Sequence, residues 1–207
     1  MCIEVGERIY PEFFNQAYED HRNRYYFALK YIRRDSKILD ISCGSGYGTD
    51  FMSKNSNCSI VIGVDKSREA LEWAKKYFLN EKCKYIECDI ENSVDCLFEY
   101  GDFDLVTCFE TIEHLVDDKK FIKKLYNLLK KGGKLLISSP NEDVIPFERN
   151  PFFDNGKNPF HYRHYTYKQL TDLLENEGFQ IIKSYTQENE IVEGNNLPVL
   201  FFVCKKP

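Results

Sequence analysis

The stretch KILDISCGSGYGTD, residues 37–50, joins an apolar run to a loop of small residues and then to a segment able to form a helix. The run Ile38-Leu39 ends at Asp40, and the loop is Ser42-Cys43-Gly44-Ser45-Gly46. Strand, glycine loop and helix start together bring bare backbone against a nucleotide-like ligand. Gly44 and Gly46 lack a Cβ, which permits a tight turn and close approach of a ligand. The helix start behind them favours an anionic or carboxylate group. Two more apolar runs follow the same plan: Ile60 to Val64 ends at Asp65, and Tyr85 to Cys88 ends at Asp89. In a doubly wound sheet the acid at the tip of the second strand grips ribose hydroxyls.

Composition bounds the rest. The chain has 207 residues, one domain by the length prior, and 43% hydrophobic residues, enough for one core. A net charge of -5 argues against nucleic acid as a partner, which would call for a basic face. The lysine pairs at 119–120, 123–124 and 130–131 read as a solvated helix face. None of the eight cysteines stands in a C-x-x-C pair, so a cysteine zinc site is not expected. The acidic N-terminus lacks the apolar core of a signal peptide, and no apolar stretch is long enough for a membrane span. These features point to a reduced, cytoplasmic setting.

Along the chain, residues 13–33 carry apolar positions at helical spacing and read as one or two helices, an N-terminal cap within 1–35. His21 and Arg24 share a face of it. Further helices are expected over 47–54, after Ser67, near 93–98, over 118–129 and over 167–177. Ser67 and Thr166 serve as N-caps, and Gly132-Gly133 as the C-cap of the fourth. Strands are expected near 60–65, 85–88, 102–108 and 134–138. A final antiparallel hairpin, near 179–185 and 199–204, is expected at the sheet edge. Residues 140–165 hold four prolines and many aromatics. They read as an excursion on the ligand side of the sheet, forming a substrate wall and offering a surface for a homodimer.

A second constellation follows the strand near 102–108. Glu110, Glu113 and His114 fall within five residues, and on a helix Glu113 and His114 stand three and four positions from Glu110. Two carboxylates and an imidazole suit a divalent cation. The excursion supplies His161 and His164 as a further ligand. The competing reading is a charged helix start that favours the helix dipole.

The segments LDISCGSGYG, GVDKS, CDIE, FETIEHL and LKKGGKLLISSPN resemble class I S-adenosylmethionine-dependent methyltransferases over nearly the whole chain. The resemblance implies an α/β, Rossmann-like, doubly wound seven-stranded sheet. It is mostly parallel with an antiparallel edge strand, has helices on both faces and forms a single domain over 1–207. It implies S-adenosylmethionine as cofactor, held by Arg24, Asp40, Ser42, Gly44, Gly46, Asp65, Lys66, Asp89, Ile90 and Glu110. In that scheme Asp65 takes the ribose, Asp89 the adenine edge and the glycines the methionine part, while Asp40 orders the loop and Arg24 caps the amino-acid end. Ser42 stands where such families often have glycine.

E-x-x-E-H with a later histidine is similar to two metal-using groups, the ubiquinone-biosynthesis O-methyltransferases and the small-RNA 2′-O-methyltransferases. The implied ligands of Mg, Mn, Fe or Zn are Glu110, Glu113, His114 and His161. His161 matches the last histidine better than His164, and a further histidine of the RNA group is Leu115 here. Without a metal, His114 and His161 are the candidate catalytic bases. The patterns E-R-x-x-P-E and H-x-x-R-Y-x-F-A are similar to methyltransferases found with sugar and polysaccharide genes. The expected reaction is O-methylation of a small hydroxylated acceptor, a sugar or nucleotide-sugar ahead of a phenol or quinone precursor. An RNA 2′-hydroxyl and a non-catalytic S-adenosylmethionine-binding protein are the alternatives. An NAD-type oxidoreductase is disfavoured because Thr49 stands where G-x-G-x-x-G needs its last glycine.

Overall fold

A computed structural model describes residues 3–5 and 7–207, with side chains from Glu7 onward. The chain begins with a small antiparallel pair, β1 (Ile3–Val5) and β2 (Arg8–Tyr10). A 3-10 turn at Phe14–Gln16 and helix α1 (Glu19–Leu29) make up the cap, with Glu19 and Asp20 in the favourable first turn of the helix. Then strands and helices alternate: β3 (Lys37–Ile41), α2 (Tyr47–Lys54), β4 (Ile60–Asp65), α3 (Arg68–Tyr77), β5 (Cys83–Glu87), α4 (Asp95–Phe98) and β6 (Phe103–Cys108). They continue as α5 (Asp118–Leu128), β7 (Leu129–Pro140), α6 (Tyr167–Asn176), β8 (Gln180–Gln187), β9 (Ile191–Glu193) and β10 (Val199–Lys205).

The main sheet has eight strands in the order β5-β4-β3-β6-β7-β10-β8-β9. The three-residue β9 is the addition to the seven expected. β3 pairs in parallel with β4 on one side and β6 on the other, so the strand order reverses beside the glycine loop. The central strands are buried on both faces, which is why they read as unbroken apolar runs. Ile38, Val61, Leu105, Leu136 and Phe201 face α1, α2 and α3 with Phe27, Met52 and Leu71. Leu39, Ile62, Val106, Ile137 and Phe202 face the other way, onto Leu97, Phe121, Leu125 and Leu170 of α4, α5 and α6.

The expected antiparallel hairpin forms at the sheet edge: β10 lies between β7 and β8, antiparallel to both, and β9 is added outside β8. Its run VLFFVC is buried throughout, whereas β8 keeps exposed positions. One sequence expectation is corrected: the glycine pair does not cap α5. That helix stops at Leu128, and the chain is already extended at Leu129. Gly132 turns at φ +79, its N–H donates to the Lys206 carbonyl, and the Lys206 N–H donates to the carbonyl of Gly133. The caps at Ser67 and Thr166 form as expected, the latter as a capping box with Gln169. Among the described residues no helix is long and apolar enough to cross a membrane.

Candidate active site

The strand ends of β3, β4, β5 and β6 open into a cavity of about 720 Å³ at the point where the strand order reverses. Its floor is Ser42 to Ser45, with Asp65 and Lys66 after β4 and Cys88 to Glu91 after β5. Phe109, Glu110, Thr111, His114 and Leu115 follow β6, and Pro159 to Tyr162 come in from the excursion. Glu7, Arg8 and Ile9 of the N-terminal pair close the top, and His21, Arg24 and Tyr25 come from α1.

The loop is held from below. Asp40 is buried and accepts hydrogen bonds from Thr49 of α2 and Thr107 of β6, at 2.7 and 2.6 Å. Burial pushes its carboxyl up to about 6 even though both threonines pull the other way. Ser42 takes φ +53, a left-handed conformation that costs a residue with a Cβ on the order of 1 kcal/mol, which accounts for the glycine often found there. Gly44 takes φ +54, and a Cβ on it would meet nothing within 4 Å, so the space above it is open to the cavity. Gly46 differs: a Cβ there would lie 2.5 Å from the Ala74 side chain and 2.8 Å from the Tyr85 ring.

Of the ten residues expected to hold the cofactor, Asp40 and Gly46 therefore do not line the cavity. Asp40 anchors the loop, and Gly46 lets α2 pack on α3 and β5. Asp65 does line it. Its carboxylate accepts from the Gly44 N–H at 3.0 Å, the Ser67 N–H at 2.8 Å and the Arg8 guanidinium at 3.2 Å. Asp89 is held by the amide of Asn92 at 2.6 Å. Arg24 is buried, donating to Gln187 at 2.8 Å and Asp20 at 2.9 Å. His21 meets the Tyr47 hydroxyl at 3.0 Å, and burial first, then Arg24, lowers it to about 4, so it is neutral.

The four expected metal ligands separate. Glu110 sits at φ +44, and its carboxylate accepts from the Ser138 hydroxyl at 2.7 Å. Glu113 is fully buried below the cavity, and neither carboxyl oxygen has a hydrogen-bond partner. Burial, then the nearby Glu110, pushes its pKa well up, so it is a neutral acid. The chain path explains the split: Glu110 sits at φ +44 ahead of the short 3-10 turn Ile112–His114, so it shares no helix face with Glu113 and His114.

His114 and His161 do come together, ring centroids 4.6 Å apart. The third group beside them is Glu7, and ligand atoms of all three lie within 4.8 Å of one another. Sequence reading gave Glu7 and Arg8 no role in the site, although both stand in the E-R-x-x-P-E pattern. It also left His164 as an alternative ligand. In the structure His164 stands behind His161, its Nε2 2.8 Å from His161 Nδ1.

The donor set fits S-adenosylmethionine. A ribose needs an acid at the tip of β4, the methionine part needs unobstructed backbone such as Gly44, and its carboxylate needs a cation such as Arg24. The fold is that of the class I S-adenosylmethionine-dependent methyltransferases. The match of residues 12–184 to the methyltransferase domain family places this chain in that family.

A "Probable S-adenosylmethionine-dependent methyltransferase" of Mycolicibacterium smegmatis is 30% identical over 180 residues, 86% of this chain and 65% of the relative. The ubiquinone biosynthesis O-methyltransferase of Coxiella burnetii is 32% identical over 126 residues, 56% of this chain and 50% of that protein. The chain thus spans between half and two thirds of these relatives' lengths. The crystal structure of an S-adenosylmethionine-dependent methyltransferase from Mesorhizobium loti superposes with a TM-score of 0.70 at 16% identity, covering 93% of this chain and 99% of that one.

Proposed function

We propose that this chain transfers a methyl group from S-adenosylmethionine to a hydroxyl oxygen of a small acceptor, a sugar or nucleotide-sugar by preference. The observation that carries the reading is the pairing, in one cavity, of a cofactor floor (Gly44, Asp65, Asp89) with two imidazoles on the opposite wall. When bound, the cofactor supplies an electrophilic methyl group on a sulfonium sulfur. Asp65 and Asp89 hold its ribose and adenine, and Arg24 holds its carboxylate. Ile9, Tyr25 and Phe109 keep water from the reacting centre.

A hydroxyl acceptor must lose its proton as the new C–O bond forms. His114 is available to take it through Nε2 when that nitrogen binds no cation. Its pKa lies below the ordinary value, through burial first and the neighbouring His161 second, so the ring is neutral at pH 7. His161 faces the same space. Positioning supplies the remainder of the rate.

A phenolic acceptor is the second reading, favoured by the similarity to the Coxiella burnetii ubiquinone enzyme and by Phe160 and Tyr162 at the mouth of the cavity. The test is transfer of labelled methyl from S-adenosylmethionine to a panel of sugars, nucleotide-sugars and phenols. The wild-type chain is expected to label a sugar-type acceptor. Asp65→Ala is expected to weaken cofactor binding at least tenfold in calorimetry, the loss of charge-assisted hydrogen bonds. Cofactor binding with no transfer to any acceptor would leave a binding protein, and labelling of phenols alone would select the second reading.

A further inference from the structure

We infer that Glu7, His114 and His161 form a binding site for one divalent transition-metal ion on the acceptor side of the cavity. The argument rests on which ring nitrogens carry protons. A carbonyl oxygen can only accept. His164 Nδ1 lies 2.7 Å from the Ile145 carbonyl and must donate to it. In neutral His164 the Nε2 is then an acceptor, so His161 Nδ1, 2.8 Å away, must carry the proton between them. That leaves His161 Nε2 an acceptor, 3.0 Å from the amide of Asn158. His114 is fixed in the same way: its Nδ1 lies 2.9 Å from the Phe160 carbonyl, which leaves its Nε2 bare.

Both acceptor nitrogens face the Glu7 carboxylate, His161 Nε2 at 3.4 Å and His114 Nε2 at 3.7 Å. Two lone pairs and two carboxylate oxygens converge, and the donor among them is the amide of Asn158. Asn158 relieves Glu7 Oε1 and His161 Nε2, and the contact of His114 Nε2 with the other Glu7 oxygen is the one a cation would relieve. One proton on His161 would relieve one contact and leave the other.

An ion about 2.1 Å from each ligand in tetrahedral geometry would place its ligand atoms about 3.4 Å apart, against 3.4 and 3.7 Å for the two imidazole–carboxylate pairs and at most 4.8 Å across the set. Each imidazole also donates its other N–H to a fixed acceptor, the arrangement that orients histidines on metals. Two imidazoles and a carboxylate favour zinc, cobalt, iron or manganese over magnesium, which prefers oxygen. Open coordination positions would face the cavity, where an oxygen of the acceptor can enter. This last role rests on the methyl-transfer reading; the site itself does not.

The test uses the EDTA-treated, dialysed chain. Co²⁺ is titrated in and followed by its visible absorption, and Zn²⁺ binding is measured by calorimetry. One ion per chain is expected. Glu7→Gln and His161→Gln are expected to weaken binding at least tenfold, and His164→Phe ten- to a hundredfold through loss of the ring's anchor. Glu110→Gln is expected to leave affinity unchanged. Far-ultraviolet circular dichroism, measured on every variant, confirms that each one folds. No saturable uptake by the wild-type chain, or loss on Glu110→Gln with none on Glu7→Gln, would overturn the site. Uptake of one ion without methyl transfer would leave the site standing and sink the O-methylation reading. Transfer indifferent to EDTA by a chain that binds no ion would do the reverse.

Discussion

Asp40 carries a charge-dependent load on the fold. Its carboxyl is buried, and its pKa is pushed up to about 6, above the value near 3.9 of an unfolded chain. The folded state therefore binds more protons than the unfolded state between these values. The contribution of Asp40 is most favourable below pH 4, declines as pH rises through 4 to 6, and stays at its cost above that. The cost reaches about 3 kcal/mol at most. Replacing Asp40 by Asn removes the ionisation. Urea melts of wild type and Asp40→Asn between pH 4 and 7 are expected to show wild type losing stability relative to the variant across that window. Parallel curves would refute the assignment.

The sequence alone could not separate Asp40 from Asp65, since each closes an apolar run. The strand register does. Asp40 pairs with Gly63, two residues before Asp65, which sets it roughly 6–7 Å deeper in the sheet. A shift of that size turns a ligand-facing acid into a structural one. Glu110 and Glu113 were misread for a related reason. Their spacing promised a shared helix face, and the chain instead takes a left-handed step at Glu110 before a short turn that begins only at Ile112.

At the scale of elements, α1 and α2 approach so closely that Gly48 is obligatory. A Cβ at Gly48 would fall 1.9 Å from the Tyr25 ring, which is buried at the cavity wall. Gly48→Ala is expected to destabilise the chain by about 3 kcal/mol, the upper end for overpacking, or to abolish folding. Denaturant titration checks it, and a loss under about 1 kcal/mol would mean the helices can slide apart. The alternation of strands and helices was legible because local periodicity and end signals mark it: Ser67 and Thr166 act where they stand. The boundary between α5 and β7 was not. Gly132 and Gly133 look like a helix end, but they are shaped by pairing with Lys206, which lies at the far end of the chain. The inward place of β10 was equally hidden, because strand order follows from long-range contacts.

For the whole molecule, the reversal of strand order at β3 concentrates the chemistry at one rim, and the sequence marked most of that rim. It did not mark the closure over it. β1 and β2 are too short to read as strands, and their anchors are remote: Arg8 on Asp65, and Pro11, whose carbonyl accepts from the Trp73 indole at 2.9 Å. That last contact has an optical consequence. The chain contains a single tryptophan, and its ring also meets Tyr10 edge-on at 5.5 Å. The indole therefore works as a built-in gauge of whether the N-terminal pair is seated. Arg8→Ala is expected to shift its emission to the red as water reaches the ring, a change read without any added dye. An emission spectrum unchanged by Arg8→Ala would mean the flap is held by Trp73 and Tyr10 alone.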